Sequence, residues 1–129
     1  MFRIHDAQME FFNRRERAMY LQRLQTYLEA KVPQSFDEMT SEEVREWVEQ
    51  AVETCDGYGI KSELATTQFV LLLLVLGAEP EKRYPWFEPI VTDRDYHGDH
   101  KVIAIIREAL RADVEGVLDV VIEPTWVTL

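Results

Sequence analysis

The sequence predicts an all-α fold, a compact single domain of four to five helices built around one central apolar helix at about 62–76. Three observations carry that prediction. Over residues 44–55 the apolar positions recur at helical spacing, not in strand alternation. Start and stop signals bracket each periodic stretch, with Ser, Thr or Asp before it and Gly or Pro after it. The run Phe69 to Leu76 is apolar on every side and closes at Gly77. A helix of that kind must be surrounded by the rest of the domain. The 129 residues, 47% hydrophobic, are enough to bury such a core without disulfides, and the single Cys excludes an internal one.

The first helix is expected over about 6–31. Asp6 is its cap, and Ile4, Ala7, Phe11, Ala18, Leu21 and Leu28 form a broad apolar arc, with Phe12 and Met19 beside it. Tyr20, Leu24 and Tyr27 lie further round, and Arg14, Arg15, Arg17 and Arg23 fill much of the rest. Pro33 ends this helix, because proline lacks an N–H and disfavours helix at the residue before it.

The second helix, about 41–56, opens on a Thr40-x-x-Glu43 capping box, in which each side chain satisfies the other residue's backbone N–H. Val44, Trp47, Val48, Ala51, Val52 and Cys55 make its apolar stripe, and Gly57 and Gly59 around Tyr58 supply the stop. Ser62 caps the third helix, and a fourth is expected over about 99–111 through Val102, Ile103, Ile106 and Leu110. Between them, residues 78–96 read as a loop with a helical turn near 86–91. The tail, residues 113–129, fits a helix through Val114, Val117, Leu118 and Val121. It fits short strands through Val120-Val121-Ile122 and Trp126-Val127 equally well.

Charge separates partner classes. The chain carries 14 basic and 24 acidic residues, a net −10, which disfavours nucleic acid and anionic membranes. Residues 1–31 are mildly basic and the remainder strongly acidic. No apolar run approaches the roughly 20 residues of a membrane span, and the N-terminus lacks the pattern of an export signal. A soluble, cytoplasmic protein is expected.

Candidate chemistry is sparse. His97, Asp99 and His100, in the 93–100 segment, are weak candidate metal ligands, and a small metal-dependent enzyme built on that segment is one reading. The competing reading makes it a polar loop with Asp99 capping the fourth helix. Cys55 falls on a core stripe with no His near it in sequence, which suits a buried thiol. No catalytic set or cofactor motif stands out, so no enzyme activity and no cofactor are expected. Two features suit a protein partner. Glu42, Glu46, Glu49 and Glu53 form an acidic row off the second helix's apolar stripe. Tyr84, Trp86 and Phe87 form an aromatic cluster that is either a plug over the core or a binding hot spot.

The order of motifs is Val32-Pro33 after a basic first helix, then Tyr58-Gly59-Ile60 with Glu63, Leu76-Gly77, and Pro85-Trp86-Phe87. Over roughly residues 4–111 it resembles a family of small uncharacterised helical proteins encoded in bacterial type VI secretion gene clusters, beside spike proteins and effectors. Members often carry Phe-Asp after the Leu-Gly, where this chain has Ala78-Glu79-Pro80-Glu81. The resemblance implies an accessory adaptor or chaperone for an effector, or an immunity protein that covers a basic toxin with its acidic face. It brings no catalytic residues with it.

Overall fold

The computed structural model describes residues 14–122. In chain order it contains α1 (Arg14–Lys31), a 3-10 turn (Pro33–Phe36), α2 (Ser41–Gly57), α3 (Glu63–Leu76), α4 (Pro80–Arg83), α5 (Phe87–Val91), α6 (Gly98–Arg111) and α7 (Val117–Val120). No strand occurs among the described residues. The fold is all-α. Four long helices stand where the sequence places them, and three short ones bring the described total above the expected four to five. The expected cap at Asp6, the apolar positions Ile4, Ala7, Phe11 and Phe12, and the Trp126-Val127 strand reading lie outside the described residues.

Local chemistry sets the helix ends. Thr40 Oγ1 accepts from the Glu43 N–H at 3.1 Å while Glu43 Oε1 accepts from the Thr40 N–H at 2.8 Å, so the capping box is complete. Ser62 Oγ accepts from the Ala65 N–H and starts α3. The α2 stop differs from the expected one in a detail: Gly57 is still helical, and Gly59 alone takes the left-handed conformation, at φ +78°.

α3 is the hub, packed against α1, α2, α6 and α7. Phe69, Val70, Leu71, Leu72 and Leu76 have no exposed surface. The apolar arc of α1 is rotated from the expected one. Tyr20, Leu24 and Leu28 face the core, whereas Met19 is 53% exposed and Ala18 lies on the surface. The buried set is a single i, i+4, i+8 ridge. Tyr20 fixes its direction, since its hydroxyl hydrogen-bonds Thr67 Oγ1 of α3 at 2.8 Å. Part of the basic surface of α1 is spent on the domain itself, with Arg17 paired to Asp56 at 2.9 Å and Arg23 to Glu63 at 3.3 Å.

Two buried polar side chains tie distant segments together. Gln68 on α3 donates from Nε2 to the Val120 carbonyl at 2.9 Å and accepts at Oε1 from the Ile122 N–H at 2.8 Å. This pair of bonds orders the start of the tail: Val117–Val120 is one helical turn, and Val121 leaves it in an extended conformation. Lys101 on α6 donates from Nζ to the carbonyls of Tyr58 and Val91, both at 2.7 Å. Those carbonyls belong to the C-terminal ends of α2 and α5, where a cation is favoured by the helix dipole. Gly98 lets α6 approach this junction, because a Cβ there would lie 2.0 Å from the Gly59 carbonyl oxygen.

Candidate functional site

Three candidate regions can be placed on this frame. In the 93–100 segment, Gly98 begins α6 and His97 holds the cap position without a side-chain capping bond. Asp99 does not cap the helix. Its Oδ1 accepts from Ser62 Oγ at 3.2 Å and links the starts of α3 and α6. The His97 and His100 rings are exposed, with centroids 6.0 Å apart. Among the described residues, no three or more His, Cys, Asp or Glu side chains gather in a way that could hold a metal ion. Cys55 is fully buried, and burial together with the nearby Asp56 charge pushes its thiol pKa far up, which suppresses the thiolate a nucleophile would need.

The aromatic cluster divides. Phe87 is a core side chain, 1% exposed, with its ring 6.1 Å from that of Phe69. For Phe87 the plug reading holds and the hot-spot reading is corrected: it packs into the core and has almost no area to offer a partner. Tyr84 and Trp86 are half-buried and stacked on each other, centroids 5.1 Å apart at 27°.

The acidic row stands as a row. At about 100° per residue, Glu42, Glu46, Glu49 and Glu53 fall within a narrow sector opposite Val44, Val48, Ala51 and Cys55. Glu42, Glu46 and Glu53 are exposed, and Glu49 is half-exposed and paired with Arg45 at 3.6 Å. The reason is the helix period: the same spacing that turns the valines inward turns these carboxylates outward.

A fourth feature is not apparent from sequence. Between α2, the last turn of α3 and α4 lies an open groove of ≈ 440 Å³. One wall is Trp47, Gln50, Ala51, Thr54 and Tyr58 of α2 and its cap, and the other is Leu73, Leu74, Gly77 and Ala78. Glu79, Pro80 and Glu81 form the end, and Phe87 contributes to the floor. Trp47 is held edge-on against Phe36 at 6.0 Å, and Tyr58 edge-on against Phe69 at 6.0 Å, so both aromatic walls are braced from behind. Burial, followed by the charges of Glu81 and Glu88, raises the Tyr58 phenol pKa above its ordinary value. Leu73 and Leu74 read in the sequence as ordinary core; the signal that they border a surface is the chain break at Gly77-Ala78-Glu79-Pro80 immediately after them.

Among the described residues, no helix is long and apolar enough to cross a membrane. Compared with protein-family models, curated proteins and solved structures, the chain matches none.

Proposed function

We propose that the protein is a non-enzymatic protein-interaction module, an accessory adaptor or chaperone for an effector of a type VI secretion cluster. The observation that supports an interaction role is the groove: braced aromatic and aliphatic walls left open to solvent beside an acidic helix face. Half-buried apolar walls open to solvent on an otherwise acidic domain give a partner's side chains a place to bury. The secretion setting rests on the sequence resemblance alone.

Co-expression of the tagged protein with each product of the neighbouring genes tests the proposal. A folded complex that co-purifies with a neighbouring effector or spike component is the expected result. Retention of none of them by the folded protein contradicts the secretion setting. A second reading, immunity protein, is favoured by the exposed Glu42/Glu46/Glu49/Glu53 row, which suits the basic active site of a toxin. The two separate in a toxicity assay: an immunity protein rescues cells expressing the neighbouring effector, while an adaptor leaves them intoxicated.

A further inference from the structure

We infer that the α2–α3–α4 groove is the seat of a basic amphipathic helix on the protein partner, an inference that rests on the interaction reading above and assigns the partner's chemistry.

The backbone offers no strand addition. A peptide that adds as a β-strand needs a sheet edge to pair with, and no strand occurs among the described residues. The walls of this groove are helices, and two of the terminal carbonyls of α3 beside it already have donors. The Leu73 carbonyl accepts from the Gly77 N–H at 3.1 Å, and the Leu76 carbonyl accepts from Arg83 Nη1 at 3.1 Å. A helix satisfies its own backbone and needs only side-chain contact. The groove supplies that contact over the length of α2 from Trp47 to Tyr58, about 16 Å at 1.5 Å per residue. This matches roughly three turns of a second helix, with apolar anchors at i, i+3 or i+4, and i+7 meeting Trp47, Leu73 and Leu74.

The rim sets the sign of charge. Glu79 is held by Lys82 at 3.0 Å, and Arg83 is turned to the Leu76 carbonyl. Glu81 at the end of the groove, and Glu46 and Glu53, one turn either side of Gln50 at the outer edge of the α2 wall, have no cationic partner among the described residues. Lys or Arg flanking the apolar anchors of an incoming helix fits these three carboxylates. A second copy of this chain fits poorly, since two molecules of net charge −10 repel each other.

The probe is a labelled, side-chain-stapled synthetic helix of about 14 residues, with leucine on one face and lysine on the other. A scrambled stapled peptide of the same composition keeps the charge and destroys the apolar face. The protein is the full chain, wild type and Thr54→Arg, which places a long cation in the groove wall at an exposed position; Gln50→Arg serves if Thr54→Arg does not fold. The expected result is saturable binding of the amphipathic helix, at least ~10-fold weaker for the scramble and for the groove variant. Equal affinity for the scramble overturns the inference, because binding is then only charge attraction; equal affinity for a folded groove variant overturns it too, because the probe then sits elsewhere. A dimer in sedimentation that the groove variant abolishes also overturns it, in favour of a second copy. The two levels fail separately. If a neighbouring gene product binds wild type and groove variant alike, the groove assignment falls and the interaction reading stands. If the probe binds through the groove but no neighbouring product does, the secretion reading falls alone.

Discussion

The two halves of the apolar run Phe69 to Leu76 in α3 are alike in composition and differ in fate. From Ala65 to Leu72 the helix is enclosed by α1, α2, α6 and α7, and its apolar side chains have lost their contact with water. One turn later Leu73, Leu74 and Val75 are only half-buried, and two of them border the groove. Composition cannot separate these halves, because hydrophobic transfer energy depends on what covers a side chain and not on its identity alone. The difference teaches that an all-apolar helix can serve as core at one end and as binding wall at the other. What changes between them is the chain leaving at Gly77, so that α4 turns aside and covers the last turn only in part.

The largest expected effect tests the enclosed half. Leu72→Ala removes fully buried methylenes and leaves a cavity, at a cost of about 2–5 kcal/mol in urea unfolding. The exposed end should be much more tolerant: Leu74→Ala should cost on the order of 1 kcal/mol, because part of that side chain is already in water. Gln68→Leu sharpens the comparison from the polar side. It keeps the buried volume but strands the Val120 carbonyl and the Ile122 N–H, at a cost of about 1–3 kcal/mol, with faster amide exchange at Ile122.

Alkaline pH reports on enclosure as well. Cys55 and Tyr20 have pKa values raised chiefly by burial, so the unfolded chain loses these protons first. Their contribution to stability is complete below the unfolded values, ~8.5 for Cys and ~10 for Tyr, and is lost as pH rises past them. The melting temperature should fall from about pH 8.5 upward, and Cys55→Ala should remove the earlier part of the fall. The smallest effect belongs to the acidic row. Changing Glu46, Glu49 and Glu53 to Gln should raise stability by a few tenths of a kcal/mol at most. It should also slow association with a basic partner at low salt, measured by stopped-flow.

Legibility in the sequence followed how local the determining interaction is. The starts of α2 and α3 were legible because Thr40, Glu43 and Ser62 act on N–H groups within three residues of themselves. The face of α1 was misjudged because Tyr20 is directed by Thr67, which is 47 positions away. Gln68 and Lys101 do not stand out in the sequence, since their carbonyl and N–H partners are set by packing and leave no mark in spacing. The acidic row was fully visible, being a property of one helix. The groove was not, because it exists only where three elements fail to close.

The central claim is that Leu73 and Leu74 of α3 form a binding wall and the turns before them are core. Melting and probe-helix affinity of Leu72→Ala and Leu74→Ala, measured side by side, test it most directly. The account predicts a crossed result: Leu72→Ala loses stability and, while folded, binds the probe as wild type does, whereas Leu74→Ala keeps most of its stability and binds at least ~10-fold more weakly. Equal destabilisation of the two variants with no change in affinity would contradict it, and would make Leu74 core like its neighbour.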